Sequence, residues 1–332
     1  MIQFGWRIPD FPVDGSSAQT FVRQITETLE AVEGHFTSAW AADHFIPWAK
    51  FQDQATATFE GWSTLTYLAG LFRTFHFGSI VLSQSYRSPA LVAKMAATLQ
   101  TLSGGRFILG LGAGWKDDEY LAYGYEFPST ATRIHQLAEA AQIIRLMWTQ
   151  PRATFHGRYY HIEDAICEPK PDPLPPLLIG GGGKQLTLRV VAQYADWWNF
   201  PGGTFTHYQE LLATLRGHCE KIGRDYNSIV KTWSSECVAI APTTAEAERL
   251  ANTSPFHKPG ESIVGSPSEV AAQLRRFTDL GVQHFILRFA DFPWTDGARL
   301  FAREVIPMLM EPETGDADES NKSNEQSRRR PK

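Results

Sequence analysis

The chain has 332 residues, 43% of them hydrophobic and 20% charged, which is the composition of an ordinary globular protein with enough apolar side chains for a large core. Its formal net charge of −5 argues against nucleic acid or an anionic membrane as a partner, because both attract basic surfaces. The three cysteines, Cys167, Cys219 and Cys237, are far apart in the sequence and predict neither a disulfide framework nor a zinc site.

The N-terminal sequence predicts a cytoplasmic protein. A strand-like segment, 2–7, begins at once, without the basic and apolar regions of a signal peptide. No run of about 20 apolar residues follows that would predict a membrane-spanning helix. We therefore expect neither export nor membrane insertion.

Strand-like and helix-like segments alternate from residue 2 to about residue 310. Short apolar runs rich in β-branched and aromatic residues predict strands, and a period near 3.6 predicts helices. The predicted strands are 2–7, 37–42, 75–81, 106–111, 176–180, 196–200, 230–240 and 283–289. The predicted helices are 17–33, 59–73, one from Pro89 to the glycines at 104–105, 130–149, 184–195, 205–222, 267–280 and 295–309. This alternation predicts an α/β protein built as a single (β/α)₈ TIM barrel.

Two insertions and a tail interrupt or follow this pattern. Residues 151–176 have a proline-rich exit and predict an extended excursion, and residues 241–266 predict a second insertion around a short acidic helix. From Pro312 onward the sequence is polar and charged and cannot bury apolar surface. We therefore expect a barrel domain over 1–311 and a disordered tail over 312–332.

Two glycine-rich segments follow predicted strands. The segment 110–115 is not a dinucleotide fingerprint, because Trp115 stands where the third glycine is required. Residues 180–183 are four glycines, but Leu178 and Gln185 exclude the Walker phosphate loop. Four bare backbone units before a helix still suit an anion at the helix N-terminus. A tight turn is the alternative, but it needs fewer glycines, so we expect a phosphate on the substrate or cofactor.

Candidate catalytic residues follow the second and fourth predicted strands. Asp43 and His44 lie at the end of the second strand, where barrel enzymes place their chemistry, and can supply an acid or base in an apolar pocket. A purely structural histidine is the alternative. Glu119 lies in the first turn of a helix, where a carboxylate can cap the helix or take part in catalysis. No Ser-His-Asp set and no metal-ligand spacing is recognisable, so we predict no metal site.

At these positions the sequence resembles the bacterial luciferase-like family of flavin and deazaflavin oxidoreductases, over nearly all of 1–310. The segments that carry the resemblance are 40–45, 98–106, 110–115 with Glu119 and Tyr120, and 178–183. Within the family, Asp43-His44-Phe45-Ile46-Pro47-Trp48 is most similar to the branch that uses coenzyme F-420, a deazaflavin. The resemblance implies hydride transfer to or from a small organic substrate.

The resemblance also implies roles for individual residues. His44 would act as acid or base at the reactive face of the ring, Asp43 would orient it, and Trp48 would shape the substrate side. Some relatives carry a catalytic carboxylate where Trp115 stands here, which leaves Glu119 as the candidate second proton donor. Cofactor contacts would come from Ser79, Ile80 and Val81, with a cis peptide bond at Ile80–Val81, from Gly112, Ala113 and Gly114, and from Gly180, Gly181, Gly182 and Gly183.

Two alternatives remain open at this point. The same barrel mouth could serve an FMN-dependent monooxygenase that uses dioxygen and a partner reductase, or a cofactor-binding protein without catalysis. The loops expected around the substrate contain Phe45, Trp48, Phe51, Phe155 and Phe256 and predict an apolar pocket. The resemblance implies a homodimer.

Overall fold

The computed structural model describes residues 2–310, and its centre is a closed barrel of parallel strands. The strands are β1 (Gln3–Arg7), β2 (Ser38–Ala41), β3 (His76–Ser79), β4 (Leu82–Ser83), β5 (Phe107–Gly112), β6 (Ala153–His156), β7 (His161–Ala165), β8 (Leu177–Gly180), β9 (Trp197–Pro201), β10 (Val230–Ile240), β11 (Ile263–Gly265) and β12 (Val282–Phe289). The barrel has the order β1-β2-β3-β5-β8-β9-β10-β12, and it closes because β12 pairs with β1. The predicted (β/α)₈ fold is confirmed.

Helices connect the barrel strands on the outside. They are α1 (Ala18–Val32), α2 (Gly61–Leu71), α3 (Pro89–Ser103), α4 (Asp117–Ala122), α5 (Thr130–Thr149), α6 (Thr187–Tyr194), α7 (Phe205–Lys221), α8 (Thr244–Thr253), α9 (Pro267–Asp279), α10 (Asp296–Leu300) and α11 (Ile306–Met310). Helix α3 shows how local sequence sets these bounds. Ser88 caps its first turn, and Gly104 ends it with a φ of 69°, a conformation that glycine adopts without strain.

The two predicted insertions contain elements that periodicity does not reveal. Within 151–176, β6 and β7 form an antiparallel hairpin, and within 241–266 the acidic helix α8 leads to β11, which extends the sheet beside β10. Strands of two to four residues, such as β4 and β11, are too short to show an alternating pattern. The predicted tail at 312–332 lies outside the described residues.

The barrel interior is closed by a layer of large side chains. Trp40, Ile108, Leu178 and Ile286 form a buried cluster inside the barrel, separate from the core between the strands and helices. Gly78 makes room for this layer, because a Cβ there would lie 2.3 Å from the indole of Trp40. Since the interior is packed, loops at the strand ends are left to form a site. No helix within residues 2–310 is long and apolar enough to cross a membrane.

Candidate active site

The carboxyl ends of the barrel strands bring chemically active side chains to one mouth. All barrel strands are parallel, so the loops that follow them meet at the same end of the barrel. This end carries Asp10 after β1, His44 after β2, Val81 after β3, Trp115 after β5, Gly181 after β8, Glu236 in β10 and Arg288 in β12. The structure therefore gathers residues that are separated by up to 278 positions.

His44 and Glu119 form a hydrogen-bonded pair at this mouth. Nδ1 of His44 lies 3.0 Å from Oε2 of Glu119, and the two side chains are 13% and 0% exposed. The other ring nitrogen, Nε2, makes no hydrogen bond within the described residues. A carboxylate on Nδ1 favours the tautomer in which Nε2 is free to take up a proton.

Glu119 is fixed by several further donors. Its Oε1 accepts from the backbone N–H groups of Phe45 and Ile46 at 2.6 and 3.1 Å, and Tyr86 donates its hydroxyl to Oε2 at 2.9 Å. Burial alone would raise the pKa of Glu119, but the contacts with His44 and these donors outweigh it and hold the pKa below its usual value. Glu119 is therefore an ionised, positioned carboxylate. Its side chain contacts the loop after β2 and does not cap α4.

Asp43 does not orient His44, so that sequence-based expectation is wrong. Its carboxylate receives a bidentate pair of hydrogen bonds from Arg87 at 2.9 and 3.0 Å and one from the backbone N–H of Ser83 at 3.0 Å. Arg87 also contacts Glu60, which caps α2. Asp43 thus ties the loop after β2 to β4 and to the loop after β4, and the carboxylate bonded to His44 is that of Glu119.

Trp115 covers the open side of His44. The two rings are 5.6 Å apart and meet edge to face at 77°, and Trp115 is 61% exposed. Lys116 and Asp118 pair with each other beside it and bring no further acid to His44. Trp115 therefore gives His44 an apolar neighbour on this side.

The segment after β3 forms one wall of the mouth. The Ile80–Val81 peptide bond is cis, as the family resemblance implied, and both side chains are partly exposed. Gly112 and Gly180 fit against this wall, because a Cβ on either would lie 2.5 or 2.8 Å from a methyl carbon of Val81. One glycine of each glycine-rich segment, Gly112 and Gly180, is therefore required by packing against Val81.

The remaining glycines leave bare backbone before α6. Gly181 has a φ of 125°, and Gly183 and Lys184 are exposed. Lys184 pairs with Glu210 at 2.9 Å. Gly181 donates its backbone N–H to the carbonyl of Asn199 at 3.0 Å, so the donors left for an anion in this loop are those of Gly182 and Gly183, ahead of α6.

Aromatic side chains line the opposite side of the mouth. Trp48 donates its indole N–H to Asp10 at 2.9 Å, and its ring lies 5.6 Å from that of Phe256, which also contacts Phe51. Three of the five aromatic residues expected around the substrate, Trp48, Phe51 and Phe256, therefore cluster on this side. Phe45 packs against Tyr86 and Tyr123, and Phe155 lies on the β6–β7 hairpin.

A charge network beside these rings, buried except for the partly exposed Glu236, was missed by sequence reasoning. Arg7 contacts Asp10 at 3.3 Å and Glu236 at 3.7 Å, and Arg288 lies 3.4 Å from Glu236 and 3.9 Å from Asp10. Burial would raise the pKa of Asp10, but Arg7 and Arg288 together hold it below its usual value. The spacing of these residues in the sequence carries no signal, because only the closing of the barrel brings β1, β10 and β12 together.

The potential metal ligands of the described residues form no cluster. Within residues 2–310, no three His, Cys, Asp or Glu side chains are arranged to hold a metal ion. The three cysteines are buried and free. The chemistry available to the described side chains is proton transfer, beside a wall and an anion site that suit an organic cofactor.

The family of the chain is shown by sequence comparison. Residues 2–259 match the model of the luciferase-like monooxygenase family. The chain belongs to this family. The resemblance to this family that the sequence indicated is therefore confirmed. In this luciferase-like protein, His44 and Glu119 lie together at the mouth of the barrel.

Two curated relatives and one solved structure are similar to the luciferase-like protein. The F420-dependent glucose-6-phosphate dehydrogenase of Kineococcus radiotolerans is 30% identical over 314 residues, which cover 85% of this chain and 91% of that protein. Pyrimidine monooxygenase RutA of Stutzerimonas stutzeri is 29% identical over 259 residues, which cover 67% of this chain and 71% of that protein. An F420-dependent secondary alcohol dehydrogenase, solved with an F420-acetone adduct, has a TM-score of 0.78 at 20% identity, with 93% and 99% of the two chains covered.

Proposed function

We propose that this protein is an oxidoreductase that uses coenzyme F-420 to move a hydride between the cofactor and a small organic substrate. The observation that carries the proposal is the His44–Glu119 pair at the mouth, with Nε2 of His44 free. The F420-dependent dehydrogenases among the relatives, which align over most of the chain, support the choice of cofactor.

The residues at the mouth fit a deazaflavin. The partly exposed, apolar Ile80 and Val81 offer a surface for a flat ring, and Gly112 and Gly180 keep this wall free of side chains. Gly182 and Gly183 would offer backbone donors to a phosphate ahead of α6, whereas the N–H of Gly181 is already bonded to the carbonyl of Asn199. Ala113 and Gly114 follow β5 and would complete the binding surface. Ser79 ends β3 and is fully buried with its hydroxyl bonded to Gly110, so the contact expected from it is not available to its side chain.

The protein would supply orientation and proton transfer. Bound F-420 supplies the hydride acceptor or donor. In the oxidising direction, Nε2 of His44 takes the proton of the substrate hydroxyl, and Glu119 stabilises the charge that His44 gains. In the reducing direction His44 returns that proton. Trp48 shapes the substrate side, and Trp115 keeps water away from His44.

A His44→Ala variant tests this assignment. We expect kcat to fall about 100-fold or more, because a positioned acid or base contributes at least that factor. The dissociation constant for F-420, measured by fluorescence titration, should change little. Loss of F-420 binding with unchanged turnover of bound enzyme would contradict the role of His44. His156→Ala, at an exposed histidine of the hairpin, is the control.

An FMN-dependent monooxygenase is the second candidate function. The relationship to RutA and the indole of Trp115 in place of a second carboxylate favour it. In that case the protein needs a partner reductase, and oxygen consumption with reduced FMN would detect the reaction. Cofactor binding without turnover of any substrate would point to a non-catalytic protein. A cytoplasmic homodimer is part of either proposal.

A further inference from the structure

We infer that the substrate side of the mouth selects an uncharged alcohol or ketone with an apolar or aromatic body, and not a sugar phosphate. This inference rests on the proposed function, because it names the substrate class of the same site. It separates the protein from relatives named for glucose 6-phosphate. Two observations carry it: the arginines of the mouth are already neutralised, and aromatic rings cover them.

The charges at the mouth cancel. Two guanidinium groups, Arg7 and Arg288, lie within 4 Å of two carboxylates, Asp10 and Glu236. A phosphate dianion needs a surplus of positive charge, and removing an arginine from buried carboxylates leaves those carboxylates unpaired at high cost. Lys258, on the adjacent loop, lies 4.0 Å from Glu261 and is 72% exposed at its side chain.

Aromatic rings cover the arginine that would otherwise face the substrate. The ring of Phe256 lies 4.3 Å from the guanidinium carbon of Arg288, and the ring of Trp48 lies 5.6 Å from it. Arg288 is 2% exposed as a result. A substrate in this region therefore meets Phe256, Trp48 and Phe51 before any charge.

The buried polar atoms of this network face one another. Nε of Arg288 lies 3.4 Å from Oε2 of Glu236, and both atoms are buried. Neither atom is therefore open to a substrate phosphate, and Glu236 and Asp10 would repel a dianion placed beside them.

Steady-state selectivity tests the inference. With F-420 as acceptor, initial rates are measured for 1-phenylethanol, 2-propanol and glucose 6-phosphate, and in the reverse direction for acetophenone and acetone. We expect kcat/KM for 1-phenylethanol to exceed that for glucose 6-phosphate at least 100-fold. Preference for glucose 6-phosphate would overturn the inference.

A pair of variants locates the selectivity. Phe256→Ala should lower kcat/KM for 1-phenylethanol about tenfold, mainly through KM, and leave F-420 affinity unchanged. Tyr67→Ala removes an aromatic, 53% exposed side chain on α2, on the outside of the barrel, and should change neither value. Equal behaviour of the two variants would contradict a role for Phe256 in substrate selection.

A cofactor-free measurement keeps the two proposals distinguishable. Calorimetric titration of the protein with 1-phenylethanol and with glucose 6-phosphate measures the dissociation constant of each compound, even if F-420 does not bind. Binding of the aromatic alcohol without F-420 binding would overturn the proposed cofactor and support the substrate class. Binding of glucose 6-phosphate or inorganic phosphate alone would overturn the substrate class whichever cofactor binds.

Discussion

Two buried carboxylates near His44 have different tasks. Asp43 is next to His44 in the sequence but is held by Arg87, whereas Glu119, 75 positions away, is bonded to the imidazole. Adjacent residues of an extended segment point to opposite sides, so Asp43 cannot share the direction of His44. The proposed catalytic site therefore depends on a contact between the segments that follow β2 and β5.

Glu119→Gln tests the orienting carboxylate. The variant keeps the size of the side chain and removes its charge, so we expect kcat to fall about tenfold, the worth of one charged hydrogen bond. F-420 affinity should stay constant. Asp118→Asn, which removes the charge of the neighbouring carboxylate in the same way, is the control. Wild-type turnover in Glu119→Gln would show that Glu119 only holds the loop in place.

Asp43→Asn tests a structural role. Breaking a buried ion pair leaves Arg87 with an incomplete partner, and we expect a loss of about 3 kcal/mol in the free energy of unfolding. Urea denaturation measures this loss, with the exposed Asp53→Asn as control. The folded variant should keep its turnover within a few-fold. If the variant has wild-type stability but has lost turnover, Asp43 and not Glu119 would be the residue that orients His44.

At the scale of elements, strands and helices were predictable and their contacts were not. The eight barrel strands lie within one or two residues of the segments chosen from composition and periodicity, because βα units repeat the same local pattern. The cis bond at Ile80–Val81 followed from family resemblance. The Arg87–Asp43 pair and the network around Arg288 depend on which loops meet after the barrel closes, so no local pattern contains them.

The amino end of the barrel contains a histidine that links stability to pH. His284 on β12 is buried and lies 2.8 Å from Ser38 on β2 and 3.2 Å from Gln3 on β1. Burial, with a smaller contribution from the charge of His76, lowers the pKa of His284 to about 3. The unfolded chain takes up this proton near pH 6.5, so folding stability falls as the pH drops below that value.

In the His284→Gln variant, the free energy of unfolding should therefore fall less steeply as the pH decreases. Between pH 7 and pH 5 the wild-type protein should lose about 2 kcal/mol through this group, and the variant should lack that part of the loss. Urea unfolding at both pH values measures the difference. His35→Gln, at an exposed histidine, is the control. Parallel profiles for wild type and His284→Gln would contradict the assignment.

At the scale of the whole molecule, one barrel end combines three surfaces. The wall at Ile80 and Val81 and the glycine loop before α6 suit the cofactor, His44 with Glu119 suits proton transfer, and Trp48 with Phe256 suits an apolar substrate. The family is shared by F420-dependent dehydrogenases and by monooxygenases, so the fold alone does not select the cofactor.

Paired titration of the purified protein with F-420 and with FMN, followed by fluorescence, tests the central claim most directly. The proposal predicts micromolar or tighter binding of F-420 and no comparable binding of FMN. Preferential binding of FMN would contradict it and make the protein a dioxygen-using monooxygenase that depends on a reductase.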